Sequence, residues 1–193
     1  YRCADPEAAI QDGRAAGVTG VMLAGVDPQG WRAQQALSGQ DVLVAYGLHP
    51  WTQAGTIDDL RDAVESLGRP AAIGEIGLDR SPAHRSEMAR QVTRFRQQLA
   101  LARRLELPVI IHAVRAHGHA LSLFDESPTP GGMVHGFSGP PEIAQQWLGR
   151  GLMLSYGPLL CSQRARKAGQ RNCGAHGSHP MWTCESECAK VGA

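Results

Sequence analysis

The sequence predicts an α/β fold with a parallel sheet of about six strands. Three observations carry the prediction: short continuous apolar runs, helix-period stretches strictly between them, and 42% hydrophobic residues in a chain of 193, enough to bury one sizeable core. Taken in order, the runs are VTGVMLAGV (Val18–Val26), VLVAYG (Val42–Gly47), PAAIGEI (Pro70–Ile76), LPVIIH (Leu107–His112), GMVHGF (Gly132–Phe137) and GLMLSY (Gly151–Tyr156). Continuous apolarity, in place of alternation, reads as parallel strands covered on both faces. Helical period falls on Asp5–Ala16, Gln29–Leu37, Ile57–Leu67, Ser86–Leu105, His117–Glu126 and Pro141–Leu148. The longest has Met88, Val92, Phe95, Leu99 and Ala102 at three- and four-residue steps, with Arg and Gln between them, and predicts an outer helix with a solvated basic face. Strand and helix alternating in this way imply right-handed crossovers. A closed eight-stranded barrel needs roughly 200–250 residues, so six strands predict an incomplete barrel or an open sheet.

Lys+Arg 19 against Asp+Glu 18 leaves a net charge of +1, which excludes bulk charge as a driver onto nucleic acid or membrane. No window approaches the ~18 apolar residues of a spanning helix, and no basic-then-apolar leader follows Tyr1. The expectation is a soluble, cytoplasmic chain without a membrane partner, and no motif points to a protein partner. Residues 1–160 form the expected domain and 161–193 a poorly ordered tail, with one short helix over Gln163–Arg171. The tail holds four of the five cysteines; Cys173, His176, His179, Cys184 and Cys188 are an alternative zinc ligand set whose spacing matches no common finger.

Four polar residues stand near the carboxyl ends of successive predicted strands: His49 in GLHP, Glu75 in AIGEIGLD, His112 in PVIIH and His135 in MVHGFSG. In a parallel α/β sheet those ends converge on one rim. A lone histidine there reads most simply as a hydrogen-bonded rim residue, but four in succession are not what packing selects. Glu75 in an apolar strand requires a cation or hydrogen-bond donors. Imidazoles and a carboxylate on neighbouring strands make a ligand set for a divalent metal with open positions, able to polarise a phosphoryl or carbonyl oxygen.

GLHP at 47–50, AIGEIGLD at 72–79, LPVIIHAVRAH at 107–117 and GGMVHGFSG at 131–139 together resemble the TatD family of metal-dependent hydrolases and deoxyribonucleases, in its YjjV-like branch. The resemblance implies a TIM-barrel-like fold of the amidohydrolase superfamily, a divalent metal (Mg2+, Mn2+ or Zn2+) and hydrolysis of phosphodiester bonds, with DNA or another phosphodiester as the expected substrate. It implies metal ligands Glu75, His112 and His135, with His49 near the substrate or water. Catalytic roles fall on His49 and Glu75; Arg115, Ser138 and Arg80 are implied substrate contacts, and Asp79 is a further neighbour. The family's opening Asp-x-His-x-His strand and its late Glu-Thr-Asp strand have no counterpart here, so the expectation is a truncated member with part of the metal site missing and weak activity. Two alternatives stand beside it: an inactive fragment or pseudoenzyme, and an amidohydrolase acting on a small ester or amide.

Overall fold

The computed structural model describes residues 3–157. Helix α1 (Pro6–Ala15) starts on Asp5, whose carboxylate accepts the Ala8 N–H at 2.9 Å. Strand β1 (Val21–Leu23) leads to α2 (Pro28–Ala36), capped by Asp27, and then to β2 (Val42–Tyr46). Helix α3 (Ile57–Ser66) opens with a reciprocal capping box between Thr56 and Asp59. The long strand β3 (Ala72–Asp79) is buried over its whole length, and a 3-10 turn (Arg85–Glu87) runs into α4 (Met88–Arg104). Strand β4 (Val109–Val114), α5 (His117–Glu126), β5 (Gly132–His135), α6 (Pro141–Leu148) and β6 (Leu152–Leu154) complete the described chain. All six strands are parallel, in the order β1-β2-β3-β4-β5-β6.

This is a half-barrel with its helices on one face. Trp31, Tyr46, Ile73, Phe95, Leu99, Ile111, Phe124 and Trp147 form the large core between helices and sheet. The opposite face carries a small cluster of Ala45, Ala72 and Ile110, with Met22, Ala24 and Met133 against it. Coverage on both faces, the expectation from apolar continuity, therefore holds for the central strands β3 and β4 and fades at β1, β5 and β6. Leu43 and Met153 alternate out of the helix-side core and are 49% and 47% exposed. Among the described residues no helix is long and apolar enough to cross a membrane.

The sheet brings the expected residues to one rim. In the β4–β5 register His112 pairs with His135, so both side chains leave the sheet on the same face as Ile110 and Met133. The β3–β4 ladder pairs Gly74 with Ile110 but Ile76 with Ile111, which leaves Glu75 as the extra residue of a bulge and re-aims its side chain toward His112. Gly77, at φ 140°, lies so close to β4 that a Cβ would meet the His112 carbonyl oxygen at 2.0 Å. Only glycine fits there.

Candidate metal centre

Glu75 and His112 form the centre of the cluster. Glu75 Oε1 lies 3.1 Å from His112 Nδ1 and 3.8 Å from His49 Nε2, while His49 Nε2 lies 3.3 Å from His112 Nδ1. One ligand atom from each of the three residues lies within 4.8 Å of the others, and all three residues are buried. The loop after β1 holds the rim backbone: Gly25 bonds Gly74 and Glu75 at 2.9 and 2.7 Å, and Val26 accepts the His49 N–H at 3.0 Å.

Asp79, at the end of β3, orients His112. Its Oδ2 accepts from His112 Nε2 at 3.1 Å and from Trp51 Nε1 at 2.7 Å, and its Oδ1 accepts the Ser81 N–H at 2.7 Å. Burial opposes its ionisation, but the donors of Ser81, Trp51 and His112 hold the carboxyl down at about 2. A permanently ionised Asp79 fixes the proton of His112 on Nε2, so that Nδ1 faces Glu75.

His49 is arranged the opposite way round. Its Nδ1 accepts the Trp51 N–H at 3.2 Å, so the neutral ring carries its proton on Nε2, directed into the cluster. Burial lowers its pKa from 6.5 to about 4, against the pull of Glu75, and it is neutral at neutral pH. Burial likewise disfavours charge on His112, yet hydrogen bonds and charge from Glu75 and Asp79 bring its pKa above the ordinary value. Glu75 is held below the usual range, in spite of its burial, by the His112 bond and by the His49, His135 and His112 rings.

The donor set fits a cation. With Nε2–H given to Asp79 and no charge on His112, the lone pairs of Nδ1 and Glu75 Oε1 would oppose each other at 3.1 Å. If His112 is protonated on Nδ1 as well, that N–H donates to Glu75 Oε1 but is crowded by the Nε2–H of His49 at 3.3 Å. A metal held by His112 and Glu75 would relieve both.

His135 is half-buried on β5, beside Ser155, whose Oγ lies 3.4 Å from its Nδ1. It stands outside the tight trio, but its charge is felt at Glu75. Arg80, Arg115 and Ser138 are exposed residues shortly after β3, β4 and β5. Sequence reasoning did not select Trp51, which stacks on His84 at 5.0 Å and meets His49 and His112 edge-on at 4.6 and 5.5 Å. It also treated Gln91 and Gln98 of α4 as spacers, although both are 1% exposed. The signal was available: residues 91, 95, 98 and 102 share one helix face with the apolar stripe. Nor is the basic side of α4 simply solvated, since Arg90 and Arg94 donate to the carbonyls of Pro50, Thr52, Gln53 and Gly55. The Cys/His set and the Gln163–Arg171 helix lie outside the described residues.

Residues 2–178 match the family model described as TatD related DNase. The chain belongs to this family. The metal-dependent hydrolase YjjV of Escherichia coli K12 is 33% identical over 173 residues, covering 84% of this chain and 66% of that protein. The 3'-5' ssDNA/RNA exonuclease TatD of Citrobacter koseri is 31% identical over 157 residues, covering 78% of this chain and 60% of that one. The crystal structure of the E. coli TatD homologue YjjV superposes with a TM-score of 0.76 at 30% identity, covering 83% of this chain and 65% of that one. A TatD family hydrolase from Entamoeba histolytica shares the fold, with a TM-score of 0.66 at 22% identity over 81% and 57% of the two chains. The chain thus spans about two thirds or less of the length of these relatives.

Proposed function

We propose that the rim cluster is a divalent-metal site for hydrolysis of phosphodiester bonds in single-stranded nucleic acid. The observation that carries this is the convergence of Glu75 Oε1 and His112 Nδ1 at 3.1 Å, with Asp79 holding the far nitrogen of the same ring. Glu75, His112 and His135 would hold the metal, which when bound supplies Lewis-acid stabilisation of negative charge on a phosphoryl oxygen. His49 is the proton-handling group: neutral near pH 7, with Nε2–H facing the cluster, it donates a hydrogen bond to water or to a leaving oxygen. Arg80, Arg115 and Ser138, exposed on the loops at the same rim, contact the phosphates. The substrate class follows the TatD relative of Citrobacter koseri, named as an ssDNA/RNA exonuclease, and a cytoplasmic setting belongs to the same reading.

The test is cleavage of an end-labelled single-stranded oligonucleotide by the full chain with Mn2+ or Mg2+, beside an EDTA control and the Glu75→Ala and His49→Gln variants. Metal-dependent cleavage lost in Glu75→Ala and weakened by about a hundredfold or more in His49→Gln supports the proposal. Cleavage that persists in EDTA or in Glu75→Ala overturns it. No cleavage by wild type at any metal concentration makes this chain inactive on its own.

A further inference from the structure

Two buried glutamines on α4 each grip one backbone residue at the rim. Gln98 Oε1 accepts the Leu48 N–H at 2.7 Å and its Nε2 donates to the Leu48 carbonyl at 3.2 Å. Gln91 Oε1 accepts the Asp79 N–H at 2.7 Å, and its Nε2 donates to the carbonyls of Asp79 at 3.2 Å and His84 at 2.9 Å. Each amide presents one donor and one acceptor to a single residue, as a neighbouring strand would. Leu48 lies past the end of β2, immediately before His49; Asp79 is the last residue of β3 and orients His112. The two glutamines are seven residues apart, two turns of one rigid helix and about 10 Å along its axis.

We infer that Gln98 and Gln91 are positioning residues of the centre: α4 acts as a ruler that fixes where β2 delivers His49 and where β3 delivers Asp79, and through Asp79 the ring of His112. Several features support this over simple backbone satisfaction. A buried glutamine loses more rotamer freedom than an apolar residue on folding, a cost that the four hydrogen bonds to Leu48 and Asp79 offset. One grip falls on Asp79 itself and the other on Leu48, the residue directly before His49. Gln98 and Trp31 also share the work at β2, since Trp31 Nε1 donates to the Gly47 carbonyl at 3.2 Å, so the turn before His49 is held from two helices. The metal-binding readout rests on the proposed metal site; the ring geometry does not.

The experiment uses the full chain as wild type, Gln98→Met, Gln98→Glu and Leu99→Ala. Methionine keeps the volume and removes both hydrogen bonds. Glutamate in its neutral buried form offers the same acceptor and an O–H donor, so it is the rescue variant. Leu99, fully buried on the same helix, controls for loss of stability alone. Two readouts are taken: Mn2+ affinity by electron paramagnetic resonance, and the imidazole 15N–1H resonances of His49 and His112 by NMR in EDTA. Gln98→Met is expected to weaken Mn2+ binding by about tenfold or more and to move the His49 ring resonances. Gln98→Glu should return affinity to within about threefold of wild type, and Leu99→Ala should stay within about twofold, as expected of an outer partner set against a packing defect that removes no hydrogen bond to the rim. Equal weakening in Gln98→Met and Leu99→Ala, or unmoved ring resonances in Gln98→Met, overturns the inference. If wild type binds no Mn2+, the metal reading fails while the metal-free NMR comparison still decides the positioning role. If Gln98→Met does not fold, the ring resonances of Gln98→Glu decide: a wild-type pattern supports the grip and a Leu99→Ala-like pattern refutes it.

Discussion

Replacing Asp79 by asparagine tests the electrostatic frame of the site without changing its shape. The carboxylate accepts three hydrogen bonds and titrates at about 2 instead of its ordinary 3.8, a preference for the ionised form of at most about 2.4 kcal/mol. Solvent at the rim reduces this to about 1–2 kcal/mol. An asparagine oxygen turned toward Trp51 and His112 places its NH2 against the Ser81 N–H, so one further bond worth about 1 kcal/mol is lost. The sum, about 2–3 kcal/mol, corresponds to a fall in melting temperature of roughly 5–10 °C for a domain of this size. The sign with pH follows from a depressed folded-state pKa. The carboxylate's contribution is complete above the unfolded value of 3.8 and is lost as pH falls through about 2, so the charge part of the gap shrinks by roughly half between pH 7 and pH 3. Thermal melts in EDTA at both pH values measure it. A fall below about 2 °C at pH 7, or a gap that grows toward pH 3, would refute the assignment of Asp79 as an ionised, threefold acceptor.

Three further outcomes follow from the same geometry. Because His49 is held neutral down to about 4, whereas the unfolded ring protonates near 6.5, its burial costs about 2 kcal/mol as pH falls from 7.5 to 5. Urea denaturation in EDTA should show His49→Gln gaining that amount relative to wild type over this interval, and no relative gain contradicts the neutral ring. Gly77→Ala forces a Cβ against the His112 carbonyl at a φ of 140° and should cost at least about 2–3 kcal/mol in urea denaturation, with a change below about 1 kcal/mol contradicting the close approach. Trp51→Phe keeps a ring beside His49 and His84 but removes the Nε1–H from Asp79; the Asp79 carboxyl pKa, followed by 13C NMR, should rise, and an unchanged value would remove Trp51 as a donor to it.

Much of this architecture was legible in the sequence. Each of the six apolar runs overlaps an observed strand, and α5 and α6 match their expected bounds of His117–Glu126 and Pro141–Leu148. What sequence reading missed has local physical causes. Strand β3 continues to Asp79, past the expected end at Ile76, because Gly77, a turn former by composition, serves here as a place for two backbones to touch. Strand β1 is only Val21–Leu23, since Gly25 leaves the ladder to bond Gly74 and Glu75 at the rim. At the rim, strand-end position was enough to single out His49, Glu75 and His112, which the fold buries with their ligand atoms within 4.8 Å of one another. Asp79 appeared only as a neighbour, and Gln91 and Gln98 not at all, because their partners are backbone groups on other elements and leave no pattern in the chain around them. The relation between His135 and the trio is set by the β4–β5 register, which sequence alone does not fix.

The central claim, that Glu75 and His112 form the heart of a metal site, is tested most directly by Mn2+ stoichiometry on the full chain, with Glu75→Ala and His112→Ala measured beside wild type. Saturable binding near one ion per chain, abolished in both variants while their far-ultraviolet circular dichroism is retained, is the predicted result. Binding unchanged in either variant, or none in wild type, would contradict the claim and leave the convergence of carboxylate and imidazole as a proton-sharing pair.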